Sequence, residues 1–311
     1  MVRRMRLPLS KMFLALALGF FGVAGCASTP PNDGMPPTLP PTENPLITAR
    51  PYEHKVPSSY DAQKPTPLVV LLHGFGASGL TQELLFGFTE LSERHGFLYA
   101  YPDGTKNSMG KQFWNANEVC CDLEGSGVDD VAYIDAVIGD MAANYNVDPK
   151  RIYLIGHSNG GFMSHRFACD RAQRVAAIVS LAGAASKDTS KCQPKEAVAV
   201  LQVHGDMDAL VPYGGGMMGG LSLPSAEETV AGWATKNACQ ATLDRTASPL
   251  DLESNLQGPE TQVARHLGCK DGSAAELWTI VGGGHVPAFN RQAWGESVWS
   301  FFAAHPKPTH P

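Results

Sequence analysis

The twelve residues IYLIGHSNGGFM, Ile152 to Met163, decide how the rest of the chain is read. Four apolar residues, Ile152–Ile155, suit a short strand buried on both faces. Gly156-His157-Ser158-Asn159-Gly160 then spells G-x-S-x-G, and Phe162 to Ala168 continues with helical spacing. A strand, a tight turn and a helix in that order is the setting in which G-x-S-x-G lifts a serine clear of the backbone. Gly156 and Gly160 are expected to be glycines because the turn leaves no room for a Cβ. Ser158 becomes the candidate nucleophile.

A serine hydroxyl attacks poorly at neutral pH unless a base accepts its proton and a third group orients that base. The chain should therefore supply an acid and a histidine at later strand ends. The apolar run Ala197–Val203 is followed by His204-Gly205-Asp206-Met207-Asp208, and Glu276–Val281 by Gly282-Gly283-Gly284-His285. His285 is the best candidate base, since the three glycines let a loop carry it back over the sheet. Asp206 and Asp208 share one loop, and either could face it. The order Ser, Asp, His matches one of the known orders of such triads.

Working outward, similar apolar runs occur at Pro67–His73, Phe97–Tyr101 and Ala176–Leu181. Between the runs, Thr81–His95, Val128–Tyr145, Ser225–Asn237 and Arg291–Ala304 carry apolar residues at three- and four-residue spacing. Strands alternating with helices predict βαβ units, hence an α/β fold with a mostly parallel sheet and helices on both faces. Chemistry then gathers at the carboxyl ends of the strands. One such end, Gly74-Phe75-Gly76-Ala77-Ser78-Gly79, also fits the G-x-G-x-x-G dinucleotide pattern. That reading leaves Ser158, His285 and the aspartate loop between them unexplained. The loop is better read as offering the Phe75 N–H to a developing oxyanion, with the Asn159 N–H as the second donor.

The N-terminus reads as an export signal. Arg3, Arg4, Arg6 and Lys11 precede the apolar run Met12–Val23, which is short for a membrane span. Val23-Ala24-Gly25-Cys26 resembles the lipobox of bacterial lipoproteins, which implies residues 1–25 as signal peptide and Cys26 as the lipidated first residue. The alternative is an ordinary signal peptide cut after Ala27. Both lead outside the cytoplasm, to an outer-membrane lipoprotein or a secreted protein. Residues 26–46 are rich in proline and small polar residues and read as a tether, leaving 47–311 as one catalytic domain.

The net charge of −6 comes without a basic stripe, so nucleic acid is not an expected partner. No C-x-x-C or H-E-x-x-H pair argues for metal, and the chemistry requires no cofactor. Beyond Cys26 six cysteines remain, Cys120, Cys121, Cys169, Cys192, Cys239 and Cys269, and disulfides are the default outside the cytoplasm. A bond between the neighbours Cys120 and Cys121 would be strained, so each is expected to reach a distant partner.

With these residues in hand, the chain resembles the polyhydroxybutyrate depolymerase and feruloyl esterase family of secreted bacterial α/β-hydrolases. The resemblance is carried by LLHGFGAS, ERHGFLYAYPDG, WNANEVCCD, VDDVAYIDAVI, the segment Val147–Asp170, VHGDMDALVPYGG, WATKNAC and GGGH. It implies the α/β-hydrolase fold, Ser158 as nucleophile, Asp208 as acid and His285 as base. It also implies a Cys239–Cys269 pair, with the other four cysteines bonded among themselves. Relatives commonly continue the last motif as G-G-H-x-W-P, whereas here Val286-Pro287-Ala288 follows His285. Phe75 and Trp114 remain as candidate aromatic walls. The activity implied is hydrolysis of feruloyl or related esters of plant polysaccharide. Alternatives are a hydroxyalkanoate polyester, or a non-catalytic surface-binding lipoprotein built on the same scaffold.

Overall fold

The computed structural model describes residues 44–308, so the signal peptide, Cys26 and most of the tether lie outside the described residues. The sheet strands are β1 Glu53–Lys55, β2 Thr66–Leu72, β3 Leu98–Tyr101, β4 Val147–His157, β5 Ala177–Leu181, β6 Ala199–Gly205, β7 Leu243–Asp244, β8 Thr261–His266 and β9 Ala275–Ile280. They form one sheet in the order β1-β3-β2-β4-β5-β6-β9-β8-β7. From β3 across to β9 every pairing is parallel, while β1, β8 and β7 are antiparallel edge strands.

Every residue of β2 is buried, as its unbroken apolar run requires. Leu68, Val70 and Leu72 belong to the core on one face of the sheet, and Val69 and Leu71 to the core on the other. The first core takes Phe162 and Phe167 from α5 Asn159–Asp170, Ile134 and Val137 from α4 Asp130–Asn144, and Trp233 from α6 Ala226–Lys236. The second takes Phe86 from α2 Gly79–Phe86, Phe88 from α3 Phe88–His95, and Trp294 from α7 Arg291–Ala304.

Two boundaries differ from the sequence reading. The helical pattern Thr81–His95 is two helices, α2 and α3, broken at Gly87, which takes φ 72°. The break is stable because the buried Glu83 carboxylate accepts the N–H groups of Phe88 and Thr89 at 3.1 and 2.8 Å, together with the Tyr99 hydroxyl at 2.7 Å. The stretch read as tether up to Leu46 overlaps α1 Pro45–Ala49. Asn44 caps this short helix through Leu46 N–H, Pro45 suits its first turn, and Ile47 packs on the core.

The expectation for Cys120 and Cys121 is corrected. They bond to each other, while Cys169 pairs with Cys192 and Cys239 with Cys269. The neighbouring pair sits in a tight turn, its Cα atoms 3.0 Å apart, where Asn117 Oδ1 accepts the N–H groups of Val119 and Cys120. The other four cysteines have each other as partners, so no distant thiol competes. The Cys239–Cys269 bridge implied by the family resemblance is present.

Candidate active site

The carboxyl ends of β2, β4, β6 and β9 lie along one edge of the parallel sheet, and the four segments singled out in the sequence follow these strands. Ser158 stands between β4 and α5 with φ 52° and ψ −118°. A side chain held in the left-handed region is uncommon and marks a strained turn. Glycine at the flanking positions is a steric requirement: a Cβ on Gly156 would overlap the Gly160 carbonyl, and one on Gly160 the Leu72 carbonyl. The first residue of α5 is Asn159, so its N–H has no preceding turn to bond to.

The β2 loop crosses directly beside the serine. A Cβ on Gly74 would stand 3.5 Å from Ser158 Cβ, an ordinary contact that shows how closely the loop passes the serine. Among the described residues, the N–H groups of Phe75 and Asn159 have no hydrogen-bond partner. Two free donors on adjacent loops next to a raised hydroxyl form a site into which a developing oxyanion could fit.

His285 Nδ1 lies 2.7 Å from Asp208 Oδ2, and the carboxylate is buried. Burial alone would raise the Asp208 pKa. Donors from His204, His285 and the Val211 N–H outweigh it and hold the carboxyl well below the usual carboxylate range. Asp208 therefore stays ionised and can fix a proton on His285 Nδ1, leaving Nε2 as the basic nitrogen. Asp206 is exposed and turned elsewhere, its Oδ1 accepting the Gly282 N–H at 2.7 Å. The two aspartates left open by the sequence are thus separated: Asp208 contacts the histidine, and Asp206 fastens the glycine loop that carries it. Met207 N–H to the Gly283 carbonyl, 2.9 Å, ties the same two loops again.

Ser158 and His285 line one pocket of about 450 Å³ with Gly74, Phe75, Leu85, Leu210, Val211 and Val286. Ser158 Oγ and His285 Nε2 make no hydrogen bond to each other among the described residues, and such bonds often tighten only when substrate is present. The walls are mostly apolar, which lowers the local dielectric and strengthens any charge interaction inside. A larger cavity of about 530 Å³ between α5 and the segments around Asn117 and Ser186 excludes Ser158. Charges on its lining pair with one another, Glu118 with Lys191 at 3.4 Å and Arg166 with Asp170 at 3.5 Å.

Phe75 is 39% exposed at the pocket mouth, where a wall residue should be. Trp114 is not a wall, and that expectation is corrected. Its side chain is fully buried, its indole N–H donates to the His73 carbonyl at 3.0 Å, and its ring packs against His73 and Tyr133. Beside it, the Asn159 side chain accepts Trp114 N–H at 2.7 Å and donates to Trp114 C=O at 2.8 Å. The two segments that carry the free N–H groups are therefore both held through Trp114, a role that the pattern Trp114-Asn115 gives no way to see.

The sequence reading also passed over His157. Its ring is buried, with Nε2 2.9 Å from the His285 carbonyl. A carbonyl only accepts, so His157 carries its proton on Nε2 and clips the His285 loop to the elbow. Burial pushes its pKa down to about 4, and it stays neutral.

Comparison with known proteins agrees with this geometry. Residues 58–220, just over half of the chain, match the family described as phospholipase/carboxylesterase. Feruloyl esterase B of Piromyces equi is 30% identical over 248 residues, covering 77% of this chain and 43% of that protein. Feruloyl esterase D of Neurospora crassa is 23% identical over 94% of this chain and 96% of its own length. A putative esterase of Nocardia uniformis is 30% identical over 162 residues, 46% of its length, so the chain spans less than half of two of these relatives. Among solved structures, the acetyl xylan esterase from Aspergillus awamori superposes with a TM-score of 0.57 at 15% identity, covering 81% of this chain and 93% of that one. The mostly parallel sheet flanked by helices is the α/β-hydrolase fold. The chain belongs to the phospholipase/carboxylesterase family of α/β-hydrolases.

Proposed function

We propose that this protein is a serine carboxylic-ester hydrolase that works through an acyl-enzyme on feruloyl or related esters of plant polysaccharide. One observation carries the reading: Ser158, the His285–Asp208 pair and the free N–H groups of Phe75 and Asn159 meet around a single pocket. In the proposed cycle Ser158 Oγ attacks the ester carbonyl while His285 Nε2 accepts its proton. The oxyanion is met by the Phe75 and Asn159 N–H groups, and His285 returns the proton to the leaving alkoxide. Water, deprotonated by His285, then attacks the acyl-enzyme, and His285 returns that proton to Ser158 Oγ as the acid is released. Asp208 stays ionised throughout.

Plant polysaccharide esters are favoured by the relatives, which include proteins named feruloyl esterase and a bifunctional acetylxylan esterase/xylanase. The leader sequence and the three disulfides fit an extracytoplasmic enzyme. A second substrate, a hydroxyalkanoate oligomer, is favoured by the apolar rim, where Leu210 and Val286 are 68% and 59% exposed. The test sets methyl ferulate, p-nitrophenyl butyrate and 3-hydroxybutyrate oligomers before the oxidised wild type and Ser158→Ala. Ferulate release that disappears in the variant supports the reading. Oligomer cleavage without ferulate release selects the polyester. A wild type inactive on every ester would remove the enzymatic reading.

A further inference from the structure

Beneath the site a line of hydrogen bonds crosses the interior from α6 to Asp208, and none of it is used by the cycle above. Its far end is Trp233, whose indole N–H donates to His165 Nδ1 at 3.0 Å. An indole nitrogen can only donate, so His165 Nδ1 is bare and the proton is on Nε2. That Nε2–H meets Gln202 Oε1 at 3.0 Å. The Gln202 amide is fixed independently, because its Nε2 donates at 2.8 Å to the Gly183 carbonyl, which can only accept. The same Nε2 lies 3.2 Å from His204 Nδ1, which must therefore be bare as well. His204 keeps its proton on Nε2, 2.9 Å from the Val211 carbonyl and 3.3 Å from Asp208 Oδ2. The carbonyl demands the same proton, so this tautomer is specified from both ends.

We propose that this chain is a positioning relay: His204, locked as the Nε2–H tautomer by Gln202, His165 and Trp233, holds the Val211 carbonyl and stands against Asp208 Oδ2, and so fixes the carboxylate for His285. The proposal rests on the reading of Asp208 as the acid of the esterase. Its geometry is one carboxylate with donors on both oxygens. Oδ2 receives His285, Oδ1 receives the N–H groups of Leu210 and Val211 at 2.8 and 2.9 Å, and His204 Nε2, bonded to the Val211 carbonyl, stands 3.3 Å from Oδ2. So held, the carboxylate cannot turn away when His285 swings toward the serine. Trp233, His165, Gln202 and His204 are buried, so water does not compete for these bonds.

Polar groups around the Asp208 end of the relay are engaged elsewhere. Tyr213 stands edge-on to His204 and bonds Thr279, Asp206 bonds the Gly282 N–H, and His157 faces the His285 carbonyl. A proton added to His204 Nδ1 would confront the Gln202 amide hydrogens, and burial holds His165 at about 4. The relay therefore runs in one direction, from the Trp233 indole to the Val211 carbonyl beside Asp208.

The first arm of the test is ¹⁵N NMR of histidine-labelled, oxidised wild type from pH 5.5 to 8, with His165 and His204 assigned through His165→Gln and His204→Gln. Both rings are expected to carry the proton on Nε2 at pH 8, and an Nδ1–H tautomer at either one overturns the relay. This arm reads the wild type and stands however the variants fold. The second arm is ester hydrolysis against pH. His204→Phe keeps a ring but no donor, and should lower kcat by roughly 10- to 100-fold, as for loss of the buried hydrogen bond that holds the Asp208 loop, with KM nearly unchanged. The acid limb of its profile should also move. His204→Gln, whose amide can still donate near Asp208, should recover most of the rate. An active wild type with His204→Phe matching it in kcat and pH profile overturns the relay alone. A wild type inactive on every ester removes the enzymatic reading and the relay's purpose together, even with the tautomers as drawn.

Discussion

Replacing Asn159 by alanine isolates what holds together the two segments proposed to stabilise the oxyanion, because the backbone N–H of residue 159 is kept while its side-chain amide is lost. The amide makes two hydrogen bonds to Trp114, to N–H at 2.7 Å and C=O at 2.8 Å, and both residues are fully buried. After truncation both Trp114 groups remain in the interior without a partner. Each such group costs about 1–3 kcal/mol, so Asn159→Ala should lose about 2–6 kcal/mol, a large part of the stability of an ordinary domain. The consequence travels further, since the Trp114 indole holds the His73 carbonyl and His73 precedes the Gly74-Phe75 loop. Slack there should displace the Phe75 N–H and lower kcat about tenfold or more, with little change in KM. Urea unfolding of the oxidised protein at pH 7.5 gives the first quantity and hydrolysis of p-nitrophenyl butyrate the second. A stability loss under about 1 kcal/mol would mean that water or a neighbour replaces the clamp, and the argument from buried unpaired groups would fail.

Two further predictions follow from the same site. Burial pushes His157 and His165 down to about 4 from 6.5, so between these values the unfolded chain binds more protons than the folded one. Stability from this source is complete above pH 6.5 and drains away as pH falls toward 4; going from pH 7 to 5 should cost about 2 kcal/mol per histidine, and His165→Gln should remove its share of the slope in urea midpoints, whereas a flat profile would refute buried neutral rings. Asp208→Asn should cut kcat by roughly 10³-fold or more, because the orienting carboxylate is lost, while Asp206→Asn, which can still accept the Gly282 N–H, should stay within about tenfold of wild type. Equal losses would unseat Asp208 as the residue that orients His285.

The parts of this molecule that were legible in the sequence are those whose reason is local. An apolar run followed by Gly156, Ser158 and Gly160 carries its own turn, because the clashes that forbid a Cβ involve residues a few places away or the adjacent strand β2. The central strands announce themselves because burial on both faces excludes polar residues. Edge strands β1, β7 and β8 do not, being short or half exposed, with pairing that depends on partners far along the chain. Gly87 broke a helix that periodicity ran straight through, and only Glu83 turning back to cap the next helix makes the break stable. Cys120 and Cys121 were assigned distant partners for a sound steric reason, yet the chain around Asn117 folds into a turn that joins them.

His204 shows why the second layer of the site stayed hidden. Taken alone, a histidine before a glycine at a strand end says little, and its twin His73 uses its ring on its own loop, bonding the Gly74 carbonyl and the Gly104 N–H. Val200, Gln202 and His204 alternate onto one face of β6, so the apolar stripe becomes polar just where the strand approaches its carboxyl end. That switch is visible in the letters, but its meaning is not. It depends on which groups face the stripe: an indole that only donates, from α6, and a carbonyl that only accepts, from Gly183. Those two fixed polarities, set by elements distant in sequence, determine where each proton sits on His165 and His204. The same logic places the His157 proton toward the His285 carbonyl. A chain can therefore declare a candidate nucleophile in five residues, while the tautomers that would make its acid and base work together exist only after the sheet has brought their donors and acceptors face to face.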